Sequence, residues 1–141
     1  MLKDYIKEVP DFPKKGINYK DIQPLLADQE AFFDALYEMG QLIDVEKVDY
    51  FVGIESRGFI FASALAAMNL KGFKMLRKPG KLPTSDLVSI EYGLEYGRDT
   101  LEMEKGSGNV VIVDDVFATG GTMTAAKLIC DLAGYEVVDT I

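Results

Sequence analysis

Residues 110–122 read VVIVDDVFATGGT: four branched apolar residues, two adjacent carboxylates, a short spacer and a Thr-Gly-Gly-Thr turn. A run such as VVIV has no polar face. It suits a central strand of a parallel sheet, which is covered by helices on both sides and reads as continuously hydrophobic. Asp114 and Asp115 then fall where such a strand leaves the sheet. In open α/β sheets ligands bind outside the carboxyl ends of the strands, so the polarity that follows the strand is placed for a ligand. Adjacent strand residues point to opposite faces, so the two acids cannot both aim at one atom: they can straddle a group with two hydroxyls, or one can contact substrate while the other meets a metal's water shell. The small residues Ala118 to Thr122 let backbone N–H groups approach an anion, and a helix beginning near Gly121 turns its positive end to the same place. Acids for a sugar's hydroxyls beside a phosphate cradle describe a phosphorylated ribose.

Outward from this stretch, strand and helix alternate from residue 50 to the end, the pattern of a parallel sheet with helices on both faces. YFVGI (50–54) and KGFKMLRK (71–78) read as strands, FIFASALAAMNL as a mostly buried helix, TMTAAKLICDLAG as a helix closed by Gly134, and YEVVDTI as a fourth core strand. LVSIEYGLEYGRDTLEME carries alternation suited to a hairpin or an edge pair. Upstream, MLKDYIKEVP reads as a short helix stopped by Pro10, and residues 11–26 as an ordered loop or cap. Asp28 is the expected N-cap of a helix carrying Phe32, Phe33, Leu36, Met39, Leu42 and Ile43. ESRG, RKPGK and DDVFATGGT each end a predicted core strand, so three polar clusters should converge on one edge.

Composition narrows the chemistry. The chain has 141 residues, 48% hydrophobic and 27% charged, as an ordinary globular domain requires. It contains no histidine, which removes the commonest general base and zinc ligand. Its one cysteine, Cys130, reads as a buried apolar residue in a reducing compartment. A net charge of −8 argues against nonspecific binding to nucleic acid or to an anionic membrane. Yet Lys71, Lys74, Arg77, Lys78 and Lys81 lie close together, which suits a local anion site inside an acidic protein. Without a signal-type leader or a membrane-length apolar run, the chain reads as cytoplasmic, with no membrane partner.

Two acids alone would read as a solvated strand end, and TGGT as a tight turn. VVIVDD is also similar to the acidic Mg²⁺ site of receiver domains, but those place the acids after the first strand and have no TGGT beside them. The combination in residues 110–122 resembles the phosphoribosyl-pyrophosphate (PRPP) signature of type I phosphoribosyltransferases, most closely the adenine-using members. DFPKKGINYKDIQPLL, GIESRGFIFASALA, RKPGKLP and LEYG match further blocks of that family in its order. The resemblance covers nearly the whole chain. It implies one α/β domain over 1–141 with the type I phosphoribosyltransferase fold. A parallel central sheet flanked by helices forms the core (28–141), a small N-terminal cap or hood covers 1–27, and a flexible lid hairpin lies within 79–97. The chain stops at Ile141 inside or just after a core strand, so a further C-terminal piece is expected.

Carried onto these residues, the resemblance assigns Asp114 and Asp115 to the ribose hydroxyls of PRPP, and Ala118, Thr119, Gly120, Gly121 and Thr122 to its 5′-phosphate. Arg57 and the backbone of Glu55 and Ser56 would face the pyrophosphate, in a loop that often holds a strained non-proline peptide, expected between Glu55 and Ser56. Arg77, Lys78 and Lys81 would add basic contacts to the same group. Alone, Arg57 would read equally well as a helix-start residue paired to a surface acid, and the basic run as a solvated edge. That bland reading stands for Lys71 and Lys74.

A lid has a physical purpose, because transfer through an oxocarbenium-like state requires water to be excluded. The resemblance places the catalytic carboxylate in LEYG, at Glu95, followed by Tyr96 in the lid. EYG occurs twice, so Glu91 is the alternative. Mg²⁺ would come with PRPP to neutralise the leaving charge, with no direct protein ligand. Ala118 stands where oxopurine enzymes carry an aspartate, which sends the proton-handling duty to the lid and favours an amino-purine, adenine. Ile17, Asn18 and Lys20 would recognise the base. Asn18 and Lys20 depart from the apolar residue and arginine common at those places. A homodimer is implied, the lid of one subunit approaching the other's site. The alternatives are a PRPP- or nucleotide-binding regulator of the same fold, and a phosphoribosyltransferase for another purine.

Overall fold

The computed structural model describes residues 1–94, 97–116 and 120–141. The chain divides into two compact units, Met1–Leu42 and Ile43–Ile141.

In the first unit a 3-10 turn at Leu2–Tyr5 is followed by strand β1 (Lys7–Val9), which pairs antiparallel with β2 (Tyr19–Asp21). The expected single helix up to Pro10 is therefore replaced by a turn and a strand. Pairing with a segment beyond the Phe12–Pro13 bond, which is cis, overrides the local pattern. The expected loop at 11–26 likewise contains β2 and a short helix α1 (Gln23–Ala27). Helix α2 (Gln29–Gln41) starts as the sequence predicts: the Asp28 carboxylate accepts from the N–H groups of Glu30 at 3.1 Å and Ala31 at 2.9 Å.

The second unit is built on four parallel strands: β3 (Tyr50–Ile54), β4 (Gly72–Leu76), β7 (Gly108–Val113) and β8 (Tyr135–Thr140), in the order β4-β3-β7-β8. They are the four core strands the sequence predicts. Helix α3 (Arg57–Met68) links β3 to β4, and α4 (Gly121–Ala133) precedes β8. The sheet is thus wound outward in both directions from the β3–β7 pair, whose carboxyl ends form the topological switch point. Between β4 and β7 a hairpin of β5 (Leu87–Leu94) and β6 (Gly97–Glu104) pairs from Leu87↔Glu104 to Leu94↔Gly97. It extends past the expected lid boundary at 97, and its far end belongs to the core. Leu101 and Met103 are fully buried.

The faces of the sheet are divided by alternation. Val52, Ile54, Val110, Ile112 and Leu76 pack with Ala126, Ile129, Cys130 and Ala133 of α4 and with Leu101 and Met103 of the hairpin. Burial pushes the Cys130 thiol up to about 12, with the Asp131 charge adding to it, so the cysteine serves as a packing group. On the other face α3 lies against the strands with almost nothing between. A Cβ on Gly53 would sit 2.9 Å from the Gly58 carbonyl oxygen and 3.0 Å from Ala62 Cβ, and one on Gly58 would sit 2.8 Å from the Val113 carbonyl oxygen. Real Cβ atoms do not approach so closely, so glycine at both positions sets the depth at which α3 docks.

Gly58→Ala is accordingly expected to lower stability by about 1–3 kcal/mol, because α3 must lift away from β7. Gly93→Ala, where an added Cβ meets nothing within 4 Å, is the control and should change stability little. Urea-unfolding midpoints of the two variants measure the difference, and equal midpoints would contradict the packing account.

Candidate active site

Because β3, β4 and β7 run parallel in adjacent positions, the segments that follow them emerge on one edge. The convergence expected for ESRG, RKPGK and DDVFATGGT is found wherever those residues are described. After β3, the Glu55–Ser56 peptide is cis, at the bond the resemblance singled out. Arg57 then opens α3, and its Nε makes an ion pair with the Asp115 carboxylate after β7. This contact bridges the switch point. The Asp115 side chain is 7% exposed and that of Arg57 23%.

β7 ends at Val113, one residue before the acids, and both carboxylates come against the start of α3. Asp115 meets Arg57, while a Cβ on Gly58 would lie 3.2 Å from Asp114 Oδ1. Asp114 is also fixed through its backbone. Its N–H donates to the Ile141 carbonyl at 3.1 Å, and its carboxylate accepts from the Asp115 N–H at 2.9 Å. Burial pushes the Asp114 carboxyl up to about 6; the Asp115 amide offsets part of that rise and the Asp115 charge adds to it.

The basic segment after β4 is organised by a residue whose side chain carries no expectation from sequence. The Glu55 carboxylate, 7% exposed, accepts from Arg77 Nε at 3.0 Å, Lys81 Nζ at 2.9 Å and the Lys78 backbone N–H at 3.3 Å. Burial alone would raise its pKa, but Lys81, Arg77 and the Lys78 amide together hold it below the usual carboxylate range. Arg77 is fastened further by paired backbone hydrogen bonds with Glu102 and lies 5.8 Å from the centre of the Phe59 ring. Lys78 Nζ pairs with Asp99 of β6. Of the more distal lysines, Lys74 sits over the Tyr50 ring at 5.1 Å.

At the start of α4, Gly120 holds the left-handed conformation (φ 82°) and caps the helix. Thr124 N–H and Oγ1 both turn back to its carbonyl. A helix's first-turn N–H groups point out of its amino end, so this turn presents donors and a positive dipole at the edge where Asp114 and Asp115 sit. Ala118 and Thr119 lie outside the described residues, as do Glu95 and Tyr96. Glu91, the alternative carboxylate, is exposed and paired with Arg98 at 2.8 Å. Among the described residues no group of three or more His, Cys, Asp or Glu side chains is placed to hold a metal ion.

In the first unit Ile17 joins a tight loop through backbone bonds to Phe12 and Lys14. Asn18 Nδ2 donates to Glu8 at 3.2 Å and Lys20 pairs with the same carboxylate. Lys20 first, then Asn18, hold the Glu8 carboxyl below the usual range. A recess of about 270 Å³ beside them is lined by Val9, Phe12, Tyr19, Asp21 and Gln23.

Comparison with known proteins agrees with this geometry. Residues 18–140 match the family described as phosphoribosyl transferase domain. The chain is 56% identical over 139 residues to the adenine phosphoribosyltransferase of Hydrogenovibrio crunogenus, covering 97% of this chain and 80% of that one. It belongs to the phosphoribosyltransferase family, among the adenine phosphoribosyltransferases. The crystal structure of adenine phosphoribosyltransferase from Thermoanaerobacter pseudethanolicus superimposes with a TM-score of 0.91 at 43% identity, covering 99% of this chain and 83% of that one. The Saccharomyces cerevisiae adenine phosphoribosyltransferase, solved with an imino-altritol bisphosphate and adenine, does so at 0.87 and 33%, covering 99% and 86%. A phosphoribosyltransferase sheet with this switch point therefore carries the site. Among the described residues no helix is long and apolar enough to cross a membrane.

Asp114 gives a test that needs no ligand. Its pKa in the folded protein lies above the ordinary aspartate value of 3.8, so it favours the folded state only while protonated. That advantage is complete below about pH 4 and gone above about pH 6. Asp114→Asn should therefore gain stability over the parent as pH rises through this window, by about 1–2 kcal/mol at pH 7 once solvent screening of a half-buried group is allowed for. Urea midpoints at pH 4 and pH 7 measure it, and an equal difference at both would contradict the assignment.

Proposed function

We infer that this chain transfers the 5-phosphoribosyl group of PRPP to adenine, releasing pyrophosphate and AMP, as a cytoplasmic enzyme of purine salvage. The observation that carries this is the switch point, where the diacid Asp114–Asp115 and the amino end of α4 stand beside Arg57 and the basic segment gathered by Glu55. That arrangement offers acceptors for a diol flanked by donors for two separate anions. The relative from Saccharomyces cerevisiae binds adenine and a bisphosphate of an imino sugar, a matching set of ligands.

Asp114 and Asp115 accept from the ribose hydroxyls, and Ala118 to Thr122 cradle the 5′-phosphate. Arg57, Arg77, Lys78 and Lys81, with the backbone of Glu55 and Ser56, bind the pyrophosphate. Mg²⁺ bound together with PRPP would supply charge neutralisation for the leaving pyrophosphate, and no side chain of this chain is assigned to hold it directly. The C1′–O bond breaks with its electron pair going to pyrophosphate, adenine N9 forms the new bond to C1′, and Glu95 takes the base's proton. Position 118 is alanine, so the aspartate that oxopurine enzymes carry there is missing and the duty is assigned to Glu95. Ile17, Asn18 and Lys20 are assigned to the base. The active species is a homodimer.

In a pyrophosphate-release assay with PRPP and Mg²⁺, adenine is expected to support turnover and hypoxanthine, guanine and xanthine to fail. Turnover with an oxopurine alone would overturn the substrate, and no turnover with PRPP still bound would favour the regulator. Glu95→Ala should reduce turnover about a hundredfold or more, against less than about threefold for Glu91→Ala. The reverse order would move the proton-handling role to Glu91.

A further inference from the structure

Parallel register puts Glu55 beside the basic segment. Ile54 of β3 is directly opposite Leu76 of β4, and the Glu55 N–H donates to the Leu76 carbonyl at 3.0 Å, so Glu55 and Arg77 leave the sheet side by side. The Glu55 carboxylate then divides its oxygens among the residues that follow β4. Oε1 accepts from Arg77 Nε at 3.0 Å, while Oε2 accepts from Lys81 Nζ at 2.9 Å and from the Lys78 N–H at 3.3 Å. Donors from both ends of the stretch 77–81 thus converge on one side chain that is 7% exposed.

The same stretch is fastened on its other flank by Glu102 of β6. Arg77 exchanges backbone hydrogen bonds with Glu102 at 3.0 and 2.7 Å, and the Gly80 N–H donates to Glu102 Oε1 at 2.7 Å. These contacts hold backbone and leave the charged tips to other groups. The Phe59 ring, 5.8 Å from the Arg77 guanidinium, restrains its plane. Among the described residues, Glu55 is the hydrogen-bond acceptor for both the Arg77 and the Lys81 side chain. A guanidinium bound through Nε keeps its Nη1 and Nη2 edge for an anion with two oxygens, and an ammonium bound through one N–H keeps two further donors. Left unheld, both stems sample many rotamers, and fixing them costs part of the affinity for any anion they bind.

The Glu55 charge alone works in the opposite direction, because an acid beside an anion site repels the ligand. Glu55 can therefore assist binding only by placement. Glutamine of the same shape would keep one acceptor but turn an amide donor toward the cations, and one tip would have to leave. Losing a shared, buried acceptor disturbs both tips at once, so placement outweighs the relief of repulsion.

We propose that the Glu55 side chain is a positioning residue for pyrophosphate: it holds the Arg77 and Lys81 tips so that their remaining donors meet the leaving group of PRPP. This rests on the transferase reading and goes beyond it, since that reading gives pyrophosphate only the backbone of Glu55. The consequence is selective. Ligands that carry pyrophosphate depend on the Glu55 side chain, and AMP, which carries none, does not.

Calorimetry on the full chain with Mg²⁺ compares PRPP, pyrophosphate and AMP as titrants. Glu55→Gln is expected to weaken PRPP and pyrophosphate about tenfold and AMP less than about twofold, with KM for PRPP raised and KM for adenine kept within about twofold. Glu55→Asp keeps the charge but withdraws it by one carbon, so a selective loss of PRPP affinity of about threefold is expected there too, and it serves alone if Glu55→Gln does not fold. Arg77→Lys should weaken PRPP similarly, and combining it with Glu55→Gln should add little. Equal weakening of AMP and PRPP would reduce Glu55 to a structural role, unchanged PRPP binding would remove its part in aiming the cations, and tighter PRPP binding would make it an internal competitor. Each of these overturns the proposal while leaving the transferase reading intact. Failure of the parent protein to bind either PRPP or AMP would overturn both.

Discussion

The depth at which α3 docks on the sheet sets everything at the carboxyl edge. Gly58 lies against the Val113 carbonyl with no room for a methyl group, and Gly53 meets Ala62 just as closely. The helix start is thereby held against the end of β7, within reach of Asp115 for Arg57. A helix standing off by one carbon would separate the two halves of the switch point. Two missing side chains do more here than any single contact.

Electrostatics at this edge works by local pairing. The protein carries a net charge of −8, so its overall field does not draw anions in. Among the described residues of the site, each cation has an internal acid: Arg57 has Asp115, Arg77 and Lys81 share Glu55, and Lys78 has Asp99. Holding a carboxylate at this edge has a cost, visible in the pKa of Asp114, which burial raises first and the Asp115 charge raises further. An anion entering this edge would meet cations already paired with acids and not an uncompensated positive hole.

Much of this was legible in the sequence, for identifiable reasons. VVIV and YFVGI are apolar without alternation because both faces are covered, and that same fact sends Asp114 and Arg57 to one edge. Asp28 showed itself because a cap is a local device. β1 escaped notice because Lys7–Val9 becomes a strand only by pairing with Tyr19–Asp21, a distant partner across an irregular loop. The role of Glu55 was hidden for a related reason: it depends on the neighbouring strand placing Arg77 and Lys81 beside it. The duplicated EYG could not be resolved by pattern at all. The described copy shows Glu91 on the exposed side of the ribbon, one register pair from Tyr92.

The hairpin has a mechanical side as well. Leu101 and Met103 are sealed into the core, whereas Glu91 and Arg98 lie in solvent, so the ribbon is a cantilever whose clamp ends at the Ile90↔Leu101 pair. Tyr92↔Asp99 is the second rung beyond that clamp. In a beam held at one end, bending moment is greatest beside the support and travel is greatest at the tip. The rung tied to Lys78 thus carries load over little distance. A change of charge at Lys78 or Asp99 therefore acts on the ribbon close to its support, where the core resists bending most.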